Sequence, residues 1–124
     1  MPEGKKTVII GASNNPERYA YLAATFLQER GHEFVPVGIR KAAVLGHEIL
    51  NIKDLPKIEN TDTVTMYLHP RNQIGWYDYI KSLHPKRVIF NPGTENPEFE
   101  ELLSESNIEV VEACTLVMLR TGQY

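Results

Sequence analysis

The chain has 124 residues, 42% hydrophobic and 23% charged, the size and composition of one globular domain, residues 1–124. No apolar run approaches the roughly 20 residues needed to span a bilayer, and the stretch before Gly11 is too short for a signal-peptide core. The net charge of −3 leaves no electrostatic footprint for nucleic acid, and the lone Cys114 permits neither an internal disulfide nor a zinc cluster, so the expected setting is a reducing cytoplasm.

Strand-like and helix-like patterns alternate from end to end, which points to α/β with a parallel sheet. Thr7-Val8-Ile9-Ile10 is a short apolar run that stops at Gly11, as in a strand buried on both faces. Tyr19 to Arg30 places Leu22, Ala23, Phe26 and Leu27 at helical spacing, and Gly31 closes that helix. Phe34-Val35-Pro36-Val37 is a second strand ending at Gly38. The pattern then weakens: Gly46 to Leu50 reads as a small excursion, and Asn51 to Leu55 as one helical turn stopped by Pro56. Thr63 to Leu68 is a third strand, ended by His69-Pro70. Asn72 to Leu83 is a helix with Ile74, Tyr77, Ile80 and Leu83 on one stripe. Arg87 to Phe90 is a fourth strand, broken by Asn91-Pro92-Gly93. Asn96-Pro97-Glu98 starts a helix with a capping Asn, a first-turn Pro and acids at the positive end. Ile108 to Val111 is a fifth strand, and Cys114 to Leu119 closes the chain with a helical turn or two. Right-handed crossovers then give a Rossmann-like, doubly wound sheet of five parallel strands, order 3-2-1-4-5, in a three-layer α/β/α sandwich.

In such sheets ligands bind beyond the carboxyl ends of the strands. After the first strand, Gly11-Ala12-Ser13-Asn14 lets backbone approach a ligand, and the next helix aims free N–H groups at it. It falls short of a full GxGxxG fingerprint, so a plain strand-to-helix turn is the competing reading. Arg18 places a cation where the helix dipole alone would not favour one, which suits a bound anion. Gly38-Ile39-Arg40-Lys41 carries two cations and no acid. That disfavours NAD and favours a nucleotide with an extra ribose phosphate, NADP or coenzyme A, against a merely solvated loop. His69 has no nucleophile or orienting carboxylate nearby in sequence and no metal spacing to His32, His47 or His84, so it reads as a turn histidine near the crevice. Asn91-Pro92-Gly93 faces the crevice through its backbone. Cys114 is either a buried small hydrophobe or a thiol at the crevice.

These residues together resemble the CoA-binding domain family in its short, stand-alone bacterial form, over nearly the whole chain. The resemblance rests on Val8-Ile9-Ile10-Gly11-Ala12-Ser13 with Pro16 and Arg18, on Leu27 and Gly31, on Val35-Pro36-Val37, Leu45-Gly46, Leu55-Pro56 and Thr63-Val64, and on Cys114 after the last strand. The same domain is similar to the N-terminal part of the succinyl-CoA synthetase α subunit and of ADP-forming acyl-CoA synthetases. The resemblance implies a Rossmann-like fold that holds CoA at the strand ends. Gly11, Ala12, Ser13 and Asn14 match the phosphate-facing loop, and Lys41 the basic position after the second strand. Leu68, His69 and Pro70 match the loop flanking adenosine or pantetheine, and Asn91, Pro92 and Gly93 the fourth loop. Two loops depart: Val37-Gly38-Ile39 stands where the family often has Val-Asn-Pro, and the fourth loop lacks the commoner Gln. The catalytic machinery of the synthetases lies outside this domain, so a complete ligase is not expected at this length. The expectation is a cytoplasmic domain that binds coenzyme A or an acyl-CoA, with no catalytic or metal-ligating residues. An NADP-binding redox protein or sensor is the alternative.

Overall fold

The computed structural model describes residues 4–124. The first apolar run forms β1 (Thr7–Ile10), buried at every position. Successive strand side chains point to opposite faces, so full burial requires cover on both sides. Val8 and Ile10 join one hydrophobic cluster and Ile9 joins the other.

In chain order there follow α1 (Tyr19–Glu29), β2 (Phe34–Gly38), β3 (Ala43–Val44), β4 (His47–Glu48), β5 (Leu50–Asn51), β6 (Thr63–Met66), α2 (Pro70–Gln73), α3 (Tyr77–Ser82), β7 (Arg87–Phe90), α4 (Pro97–Glu105), β8 (Glu109–Glu112) and α5 (Thr115–Arg120). The main sheet is parallel, in the order β5-β2-β1-β6-β7-β8. Ala20, Ala24 and Leu27 of α1 and Leu119 of α5 pack on one face. Tyr79 and Ile80 of α3, with Phe99 and Leu103 of α4, pack on the other. The fold is therefore Rossmann-like and three-layered, as the alternating pattern implied.

The sheet has one strand more than expected. The place beside β2 belongs to Leu50–Asn51, whereas Thr63–Met66, expected there as the third strand, pairs with β1 on its other side. A two-residue strand shows no periodicity and cannot be read from a sequence. The excursion before it is a hairpin of β3 and β4, whose turn residues Leu45 and Gly46 both take positive φ, 49° and 84°. The helix expected over Asn72 to Leu83 is broken by a 3-10 turn at Ile74–Trp76, because Trp76 leaves helical backbone at φ −119° and ψ 8°. The caps behave as their residues require. The N–H groups of Gly31 and His32 donate to the carbonyls of Gln28 and Leu27, closing α1 with Gly31 at φ 78°. The Asn96 side chain accepts the Phe99 N–H to open α4.

Candidate functional site

After β5 the chain crosses from one side of β1 to the other and enters β6. A sheet of this kind opens a crevice at that reversal, beyond the strand carboxyl ends. A cleft of about 910 Å³ lies there, walled by the loops that follow β1, β2, β6 and β7.

The first three of those loops meet backbone to backbone. The Gly11 and Ala12 N–H groups both donate to the Val37 carbonyl, at 2.9 and 3.0 Å. A Cβ on Gly11, which has φ +92°, would lie 3.0 Å from the Tyr67 carbonyl carbon. One on Gly38 would lie 3.1 Å from the Ala12 carbonyl oxygen. Glycine is thus demanded here by close approach, and at Gly11 also by conformation. The same contacts consume the Gly11 and Ala12 N–H groups. The donors left for a ligand come further along the loop. The N–H groups of Ser13, Asn14, Tyr19 and Ala20 have no acceptor among the described residues. The N-terminus of α1 has neither a side-chain cap nor an acid in its first turn, so its positive end faces the loop unneutralised. Arg18 and Arg40 line the cleft beside Glu17. The ion pairs among the described residues are Lys6–Glu33, Arg30–Glu29 and Lys86–Asp62, so no carboxylate engages either cleft arginine.

The opposite wall is rigidly built. The fully buried Gln73 amide donates to the Leu68 carbonyl at 2.9 Å and the Thr94 carbonyl at 2.8 Å, and accepts from the Asn96 amide at 3.0 Å. It thereby joins the loop after β6 to the loop after β7. His69 precedes α2, and its Nδ1 accepts the Arg71 N–H at 3.1 Å. Among the described residues the buried Tyr67 hydroxyl has no hydrogen-bond partner, and burial pushes its pKa far above the ordinary tyrosine value. It is therefore a neutral group and no base.

Gly11, Ala12, Ser13, Arg18, Gly38, Arg40, Leu68, His69, Pro92 and Gly93 all line the cleft. Asn14, Lys41, Pro70, Asn91 and Cys114 are not among its walls. Asn14 and Lys41 are exposed beside it, and Pro70 is the first residue of α2. Asn91 is buried: its amide donates to Thr65 Oγ1 at 2.8 Å and the Met66 carbonyl at 2.9 Å, and accepts the Thr115 N–H at 2.8 Å. Its side chain thus serves the fold. Cys114 is a half-buried free thiol that precedes α5. The sequence reading missed Ile52, Tyr67, Asn72, Trp76 and Thr94, which also line the cleft. Ile39, also missed, lines the cleft and is 76% exposed; an isoleucine in a strand-end loop was the signal that could have found it.

Among the described residues no group of His, Cys, Asp and Glu is placed to hold a metal ion. No helix among them is long and apolar enough to cross a membrane.

No curated protein matches the chain by sequence. An uncharacterized protein of known crystal structure is 58% identical, with a TM-score of 0.95 over 99% of this chain and 100% of its own. A Thermus thermophilus protein is 25% identical, with a TM-score of 0.82 over 98% of this chain and 91% of its own. A hypothetical protein from Pyrococcus horikoshii OT3, 24% identical with a TM-score of 0.83 over 95% of this chain and 83% of its own, shows the likeness of fold alone. The model of the CoA binding domain matches residues 5–120. With that match running from before β1 to the last residue of α5, the chain belongs to the CoA-binding domain family.

Proposed function

We propose that the cleft binds coenzyme A or an acyl-CoA, and that this chain performs no chemistry on it. The observation that carries the reading is the pairing of an uncapped α1 N-terminus with two arginines, Arg18 and Arg40, that form no ion pair among the described residues. Free N–H groups at the positive end of a helix suit a diphosphate. A guanidinium suits a ribose phosphate, which it can grip with two parallel bonds. The residues present therefore fit the group: Ser13, Tyr19 and Ala20 would offer N–H groups to the diphosphate, and Arg18 and Arg40 their charge. The cleft volume lies near the top of the ~300–1,000 Å³ usual for ligand pockets, which leaves room for a pantetheine arm.

The same walls support the reading that the chain performs no chemistry. A nucleophile needs a base within hydrogen-bond reach. The His69 Nδ1 is used as a cap, Tyr67 is held neutral, and Cys114 stands outside the walls. A single free cysteine suits a reducing compartment, and we assign the protein to the cytoplasm.

Titration calorimetry with CoA, acetyl-CoA and NADP tests the reading. NADP shares the diphosphate and carries a ribose phosphate of its own, so it is the strict competitor. We expect CoA to bind, and at about 100 times its Kd to stabilise the fold by about 2.7 kcal/mol. Binding of NADP without binding of CoA would overturn the proposal.

A further inference from the structure

His69 is the one imidazole on the cleft wall, and its two nitrogens are not equivalent. Its Nδ1 accepts the Arg71 N–H at 3.1 Å. Its backbone is extended, at φ −58° and ψ 146°, and Pro70 follows as the first residue of α2. The ring thus stands in for the Asn or Asp that commonly caps a helix: Nδ1 takes the place of their side-chain oxygen. An acceptor nitrogen carries no proton, so a neutral ring capping this way must carry its proton on Nε2. Nε2 lies on the far side of the ring from the cap and has no hydrogen-bond partner among the described residues. A histidine whose outward nitrogen bears the proton cannot accept one there.

We propose that His69 is a fixed hydrogen-bond donor of the cleft, with Nε2–H directed to an acceptor oxygen of the ligand. This rests on the CoA reading of the site. In coenzyme A such oxygens belong either to the phosphates or to the amide carbonyls of the pantetheine arm, and both are the same acceptor chemistry. Asn at position 69 separates the two duties of the ring. It can still cap with Oδ1, but its amide nitrogen falls at the position of Cδ2, one bond short of Nε2.

Two measurements decide the matter. In ring-labelled protein above pH 8, where an imidazole is neutral, long-range ¹H–¹⁵N correlations should show the His69 ring protonated at Nε2, its signals identified by their loss in His69→Asn. Protonation at Nδ1 overturns the proposal. In calorimetry, His69→Asn should bind CoA about three- to tenfold more weakly than wild type, with its melting temperature unchanged within about 2 °C. The same comparison with adenosine 3′,5′-bisphosphate and with pantetheine identifies the acceptor, since the first offers phosphate oxygens without amides and the second amide oxygens without phosphates. Undiminished affinity for all three probes refutes the donor while leaving the CoA reading intact. Failure of wild type to bind any of them removes the CoA reading, and the donor with it.

Discussion

Removing the charge of Arg40 tests how the cleft reads its ligand. Arg40 is exposed and lines the cleft, and no carboxylate lies within ion-pair distance of it among the described residues. Arg40→Ala therefore deletes nothing that the fold uses, and stability should change by less than about 0.5 kcal/mol. Affinity should respond differently. A hydrogen bond to a charged group contributes about 1.5–3 kcal/mol when shielded, and an exposed loop loses part of that to solvent and salt. About 1 kcal/mol remains, or roughly fivefold in Kd. Dephospho-CoA lacks the 3′-phosphate and serves as the internal control. In calorimetry at low salt, wild type should prefer CoA. Arg40→Ala should lose about fivefold for CoA and almost nothing for dephospho-CoA. The family resemblance singles out Lys41 for this role, but Lys41 stands outside the cleft wall, so Lys41→Ala should cost less than about twofold. Equal losses for both ligands in Arg40→Ala, or no preference in wild type, would refute the reasoning.

Three further outcomes are expected. Asn91→Ala leaves the Thr115 N–H and the Met66 carbonyl unpaired in the core, and should cost about 2–4 kcal/mol in denaturant melts; a cost below about 1 kcal/mol would mean that the network is not needed. Gly11→Ala must hold a side chain at φ +92° against the Tyr67 backbone and should cost about 2–4 kcal/mol, with Gly46→Ala, whose Cβ meets nothing within 4 Å, as the strained but unhindered control; equal costs would remove the contact between loops from the explanation. His32 accepts the Lys5 N–H at Nδ1, at 2.8 Å, and burial, followed by the charges of Lys5 and Arg87, holds its pKa below the ordinary histidine value. A depressed folded pKa means that its stabilisation is present above about pH 6.5 and is lost as pH falls through the lower folded value; the stability difference between pH 7.5 and 5.5 should therefore shrink in His32→Asn, and an unchanged difference would refute the assignment.

What the sequence disclosed and what it hid divide along a physical line. Short runs of apolar and β-branched residues disclosed β1, β2, β6 and β7, because such residues suit strands covered on both faces; the polar side chains buried among them, Thr63, Thr65 and Arg87, find hydrogen-bond partners inside the fold. The glycines at the ends of two of those strands marked the cleft for a related reason: there backbone meets backbone, and Gly11 and Gly38 have no room for a side chain. The hidden parts are those whose partners are distant in the chain. Leu50–Asn51 is a strand only because Val37 and Gly38 offer it an edge. Gln73 reads as a polar residue on a helix, yet it is fully buried, and its amide spans the loops at Leu68 and Thr94. Asn91 reads as a turn residue facing a ligand; its side chain instead ties β6 to the start of α5. In each case the residue type signals a need for hydrogen bonds, and only the fold decides whether ligand or protein supplies them. That decides how the cleft can move. The wall after β6 and β7 is fixed by buried polar contacts, which are costly to break. The Ser13–Ala20 segment of the other wall keeps N–H groups without acceptors. If the wall after β1 and β2 is the one that adjusts to a ligand, saturating CoA should slow amide hydrogen exchange at Ser13, Tyr19 and Ala20 more than at Gln73 and Thr94. Equal protection of both walls would show instead that the cleft closes as a unit.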